Sequence, residues 1–266
     1  MMRYIFDNDL HIHSKISLCS GVPEQTAERM LQYAKENGLK TICVTDHHWD
    51  EEIPGATDWY EEQNFAWINQ INPLPQAEGI RFLFGCETEL DKYFTLGLTR
   101  EHFNRFDFVI IPTTHLHMKG FTFDVEQDNP ADKAILWVKR LETVLNMDLP
   151  FEKIGLAHLT CPLIMKSSRE EYLQLLELIP EEDMERLFTK AAKLGVGIEI
   201  NCSDMKFADE EADIVLRPYR IAKKCGCKFY MGSDAHDPGY FDIAKGVFER
   251  AIDYLELEES DKFIIK

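Results

Sequence analysis

The sequence predicts an α/β fold, with a parallel sheet inside and helices outside, on three observations. Seven short apolar runs alternate with segments of helical periodicity. The chain has 266 residues, close to the roughly 250 that one α/β barrel fills. No shift in composition marks a boundary, so one domain over residues 1–266 is expected.

The runs, in chain order, are residues 3–9, 41–45, 80–87, 106–112, 153–157, 196–201 and 228–233. Each is short and apolar, as a buried parallel strand is. The first helix is expected over 23–37, where Ala27, Met30, Leu31 and Ala34 share a face and Gly38 stops it. Residues 132–145 repeat the pattern through Ile135, Leu136, Val138 and Leu141. Helices over 181–194 and 212–225 end at Gly195 and Gly226, and a last helix is expected over 242–257. Residues 49–75 contain Pro54, Gly55, Pro73 and Pro75 and predict a long loop or lid with one helix near 58–69. Residues 119–129 predict a second irregular loop.

Composition narrows the function. Lys and Arg number 29 against 47 Asp and Glu, a formal charge of −18. Phosphate backbones and anionic membranes select basic faces, so long nucleic acids and membrane surfaces are disfavoured partners. No stretch approaches the ~20 apolar residues of a membrane span, and the N-terminus lacks an apolar run of signal length. Seven scattered cysteines do not form a disulfide framework, and a reducing cytoplasm is the expected compartment. Cys225-Gly226-Cys227 is read as a helix end.

Eight of the nine histidines, all but His102, stand at the ends of these runs: His11 and His13, His47 and His48, His115 and His117, His158, and His236 beside Asp234. Glu87 and Glu89 close the third run in the same way. In a parallel barrel these residues gather at the C-terminal rim, which carries the chemistry. Strand residues two apart point to one side, so His11 with His13, and Asp234 with His236, can reach a common ion. Imidazole and carboxylate suit zinc, manganese and iron. Glu87 is placed to bridge two ions, as two-metal hydrolases require.

The order of these motifs (DLHIHS from Asp9, TDHH from Thr45, GCETEL from Gly85, His115, His158, GSDAH from Gly232) resembles the PHP family, the polymerase and histidinol phosphatase superfamily. The likeness runs from position 9 to 236. It implies a distorted TIM-like (β/α)7 barrel with two or three divalent ions at the rim. By position it implies a first ion on His11, His13, Glu87 and Asp234, and a second on Glu87, His115 and His158. A third would sit on His47, His236 and Cys19, where the family commonly has histidine or aspartate. A thiolate there favours zinc or iron over manganese. Otherwise Cys19 points away and two ions suffice.

A cluster of this kind suits hydrolysis of a small phosphomonoester, histidinol phosphate being the family's best-known substrate, by attack of a metal-bound hydroxide. Asp46 and His48 are the candidate catalytic residues: Asp46 either orients the neighbouring ligand or donates a proton, and His48, like His117, braces the ligands, faces the substrate or lies at the surface. Arg217, Lys15 and Lys206 are the candidate phosphate-binding residues, with Lys119 behind them. The acidic groups at 50–52 and 61–62 are candidates to face a cationic substrate. No glycine-rich phosphate loop implies a nucleotide cofactor. Two other hydrolase readings are a phosphodiesterase or exonuclease on short nucleotides, and a C–N hydrolase. The latter lacks the bridging lysine expected after Thr114. A third reading is an inert, metal-stabilised binding barrel.

Overall fold

The computed structural model describes residues 2–265. It contains an eight-stranded, all-parallel sheet rolled into a nearly closed barrel. The strands are β1 (Asn8–Ile12), β2 (Thr41–Val44), β3 (His47–His48), β4 (Arg81–Thr88), β5 (Phe108–Pro112), β6 (Ile154–Ala157), β7 (Gly197–Asn201) and β8 (Lys228–Gly232). Seven follow one another in the order β1-β2-β4-β5-β6-β7-β8, and β3 pairs β4 alone. β3 continues the line of β2 after a break at Thr45-Asp46, so the expected seven-stranded plan holds with one strand in two pieces. Closure comes from the chain past β8: Asp234 N donates to His11 O (2.7 Å) and His13 N to Ala235 O (3.1 Å).

The helices outside are α1 (Ala27–Asn37), α2 (Asp58–Glu61), α3 (Phe65–Ile68), α4 (Pro130–Asn146), α5 (Arg169–Leu178), α6 (Glu181–Leu194), α7 (Ala212–Val215), α8 (Arg217–Lys224) and α9 (Gly239–Leu255). Their ends follow local chemistry. Thr26 caps α1, and Gly38 ends it in the left-handed region (φ 68°). Asn129 caps α4 with Pro130 in its first turn. Gly195 (φ 76°) stops α6. None of the described helices is long and apolar enough to cross a membrane.

Four local expectations need correction. The first strand is Asn8–Ile12 rather than 3–9, because residues before Asn8 pair elsewhere: Tyr4 N donates to Leu257 O (2.9 Å) and Phe6 packs on Phe248 of α9. His11 therefore lies inside the strand. The helix expected over 58–69 is two short pieces, because Asn64 turns out of helix to cap α3. The helix over 212–225 restarts at Arg217 with Pro218 in the first turn of α8. α5 lies outside the expected segments, although Ser168 caps it and Tyr172, Leu175 and Leu176 bury one face.

Two large cores hold this frame, beside a small third cluster of Trp49, Tyr60 and Phe121. One lies between sheet and helices. The other fills the barrel with Leu10, Cys43, Leu83, Phe108, Ile110, Ala157 and Tyr230, and is closed from below by Phe263 and Ile265 of the C-terminal segment. The opposite, C-terminal ends of the strands remain open to a cavity.

Candidate metal centre

A cavity of about 640 Å³ opens at that rim, lined among others by Cys19, His47, Glu87, His115, His158, Asp234 and His236. His11 and His13 project to the same side of β1 and are fully buried. Their Nε2 atoms are 3.1 Å apart. Asp234 Oδ1 stands 3.5 Å from His11 Nε2 and 3.1 Å from His13 Nε2. Glu87 Oε2 is 3.5 and 3.4 Å from the same two nitrogens. Two ligand atoms at the ~2.0–2.1 Å bond length of tetrahedral zinc are themselves separated by about 3.3 Å.

Glu87 divides the centre. Its Oε2 also faces His47 Nδ1 (3.1 Å), whereas Oε1 faces His115 Nε2 (3.7 Å) and His158 Nε2 (3.6 Å). Oε1 is buried without a hydrogen-bond partner. A lone buried carboxylate oxygen is costly unless a cation or donor meets it. His13, Cys19, His47 and His236 form a further group whose donor atoms all lie within 4.8 Å of one another. The structure thus turns Cys19 inward rather than away. The donor set, imidazole and carboxylate with one thiol, fits borderline-soft divalent metals.

The electrostatics agree with such a centre. Burial pushes the carboxyls of Glu87 and Asp234 up. The imidazoles outweigh it, with His47 and His11 on Glu87 and with His11 and His13 on Asp234, so both lie well below the usual range. Burial raises the Cys19 thiol as well, but His13 and His47 bring it down to about 3. Against burial, His11, His13, His158 and His236 are shifted up in turn by these anions, so a cation bound here would compete with protons.

A buried outer ring orients the donors. Glu199, on β7, sits 2.6 Å from His11 Nδ1 and accepts from His158 N at 3.1 Å. Glu89 holds His115 Nδ1 at 2.8 Å. Each leaves the Nε2 atom of its imidazole free to face the cavity. His158 and Asp234 both adopt left-handed backbone, φ 62° and 52°, which costs a non-glycine residue roughly 1–2 kcal/mol. Each stands just past the end of its strand, β6 or β8.

Glu199 and Asp204 lie outside the expected site residues, and Glu89 is expected only to close its run. A carboxylate alone among apolar residues, as in Gly-Ile-Glu199-Ile, or two positions from Glu87, is the signal they left in the sequence. Asp204 approaches the other side of His158, with Oδ1 3.7 Å from Nδ1.

Several expected residues are placed elsewhere. Asp46 does not line the cavity; it accepts from Ser14 N and Oγ (2.6 Å each) and lies 4.0 Å from His13 Nδ1. That position braces the loop after β1. His48 points to the opposite side from His47, between Gln63 O (3.1 Å) and Asp50 Oδ1 (3.2 Å). Arg217 donates to the carbonyls of Leu176 (2.5 Å) and Ile179 (2.7 Å), capping the end of α5. Lys15 lines a separate crevice with Gln25 and Pro73, and Lys119 pairs with Asp128. Of the four basic candidates Lys206 alone lines the cavity, its Nζ 5.5 Å from the Tyr240 ring centre. His117 lines it too.

Asp50 shows what His48 serves. It also accepts from Thr99 N (2.7 Å) and faces His102 Nδ1 (2.9 Å). Burial raises its carboxyl, but His48, Thr99 N and His102 hold it well below the usual range. Asp50→Asn should therefore destabilise the fold by about 1–3 kcal/mol at neutral pH. A depressed carboxyl stabilises above its unfolded pKa of about 3.9 and loses that contribution as pH falls through the folded value. The gap between wild type and variant should close below about pH 4. Urea unfolding at several pH values checks this, and a constant gap would contradict it.

The family model of the PHP domain matches residues 9–203. A probable phosphatase of Thermoanaerobacter sp. strain X514 is 28% identical over 262 residues, covering 94% of this chain and 87% of its own. Another, of Caldicellulosiruptor saccharolyticus, is 26% identical over 245 residues, covering 91% and 86%. The crystal structure of histidinol phosphate phosphatase from Lactococcus lactis, complexed with zinc, L-histidinol and phosphate, superimposes with a TM-score of 0.58 at 20% identity, covering 92% of this chain and 93% of that one.

Proposed function

This chain belongs to the PHP domain family, and from that premise we propose that it is a metal-dependent phosphatase acting on a small phosphomonoester, with one barrel domain carrying the activity. The observation that carries this reading is Glu87. At the cavity floor its two oxygens face two separate sets of imidazoles, the arrangement a bridging ligand needs. The curated relatives named as probable phosphatases support the reaction class.

Under this reading His11, His13 and Asp234 hold one ion together with Glu87. Glu87, His115 and His158 hold a second, and Cys19, His47 and His236 a third. Two or three zinc, iron or manganese ions, when bound, supply charge against the phosphate oxygens and acidify water near neutral pH. The chain's own residues do the rest. Glu199 and Glu89 keep a proton on Nδ1 of His11 and His115, so that each Nε2 lone pair is available. Lys206, at the wall, meets the phosphate dianion as a point charge. The net charge of −18 keeps polynucleotides away without opposing a small phosphate here, because cations reverse the local sign.

The test is phosphate release from a panel of phosphomonoesters, with a short oligonucleotide alongside. Metal-loaded protein should act on the former, and a chelator should stop it. His11→Ala and Asp234→Ala should each abolish the rate; an untouched rate in both would place the site elsewhere. Cys19→Ser, measured by elemental analysis, should lower the bound metal from three ions to two. An unchanged count would remove the thiolate from the ligand set.

A further inference from the structure

We propose that the phosphate ester preferred by this site carries an apolar or aromatic organic group with no positive charge; this rests on the phosphatase reading above. Above the imidazoles the cavity wall changes character. Trp59 comes from the segment after β3, its ring centre 5.0 Å from that of His47. Met118 follows β5, and Pro162 and Leu163 follow β6. Tyr240 opens α9, with its ring 6.4 Å from that of His236. Leu163 is 41% exposed, an uncovered leucine at the mouth of a polar centre. An apolar group seated against it would remove that surface from water.

An ammonium group finds no matching partner. Among the described residues the carboxylates lining the cavity are Glu87 and Asp234, and both already face imidazoles. The acidic residues of the second loop, expected as candidates for a cationic substrate, lie elsewhere. Asp50 is buried against His48 and His102. Glu51 and Glu52 line a different crevice with Arg105. Glu61 and Glu62 are exposed and outside the cavity lining. Lys206, at the same wall, adds a positive charge and already covers one face of Tyr240. An ammonium entering here would give up hydration without a counter-ion and would meet a like charge. An aromatic ring would gain contact with Trp59 and Leu163 instead. The volume of about 640 Å³ accommodates a small molecule of one or two rings with its phosphate.

The experiment compares esters with similar alkoxide leaving groups: phenylpropyl phosphate, aminopropyl phosphate and, as reference, propyl phosphate, each on metal-loaded protein. Phenylpropyl phosphate should exceed aminopropyl phosphate in kcat/KM by at least about 10-fold. Leu163→Ala, at a position 41% exposed, should raise KM for the phenylpropyl ester several-fold with kcat little changed. An aminopropyl ester turned over as well as or better than the phenylpropyl ester overturns the inference and leaves the phosphatase reading standing. The same holds if Leu163→Ala fails to move KM for the phenylpropyl ester. Release from none of the three overturns the phosphatase reading itself, and the inference with it.

Discussion

Glu87→Ala should lower metal-dependent phosphate release by about 10³-fold or more, an effect at or above that of removing a single preorganised electrostatic contact in a hydrolase. It should also lower the metal content of the purified protein. Glu87 is 1% exposed and stands within 3.1–3.7 Å of His11, His13, His47, His115 and His158. Glu87→Gln separates charge from shape: the amide keeps the volume but loses the negative charge and one acceptor. It should therefore retain the fold while losing most of the metal and activity. A thermal melt establishes folding, elemental analysis reads the metal, and phosphate release reads the rate. Wild-type metal content and rate in a folded Glu87→Ala protein would remove Glu87 from the centre.

Arg140→Met should destabilise the protein by about 3–5 kcal/mol, the cost of stripping one partner from a buried ion pair. Arg140 lies midway along α4 and is fully buried. Its guanidinium donates to Glu89 Oε1 (3.1 Å), Thr113 O (2.7 Å), Leu90 O (2.7 Å), Thr122 O (3.1 Å) and Asp91 O (3.3 Å). One side chain thereby joins the ends of β4 and β5 to the loop that follows. Without it several carbonyls and the Glu89 carboxylate remain buried and unmet. Burial pushes the Glu89 carboxyl up, and Arg140 opposes it. Removing the guanidinium raises it further, and Glu89 then holds His115 less firmly in its metal-facing tautomer. Glu89→Gln combined with Arg140→Met should recover part of the loss, since an amide at that position needs neither a counter-ion nor an added proton. Urea unfolding of the two single variants and the double variant measures this. Additive losses would mean that the pair does not act as a unit.

Arg140 also marks where reading the sequence stops. As one basic residue in a helix, within Trp137-Val-Lys-Arg140-Leu, it looks like any solvated charge. Its partner Glu89 lies 51 positions away, and only the docking of α4 on the sheet brings them together. Arg217 fails in the opposite sense. A planar fork suited to phosphate is spent on the carbonyl end of α5, a helix outside the expected elements. Glu199 reaches His11 across 188 positions, a contact that exists because the barrel closes. Lys206, by contrast, was one of several basic candidates with nothing local to rank it.

What the sequence determined by itself is what depends on neighbours a few residues apart. The alternation of strand and helix, the helix stops at Gly38 and Gly195, and the projection of His11 and His13 to one side follow from backbone geometry within one or two turns or a single strand. A parallel sheet then places every strand's C-terminal end on one face, so the gathering of histidines was legible once strands were recognised. The tertiary structure alone decided which side chains brace the imidazoles, which cation lines the cavity, and what the substrate's organic group touches. Those are contacts between loops and helices distant in sequence. Packing of whole elements sets such distances, and no local spacing in the chain encodes them.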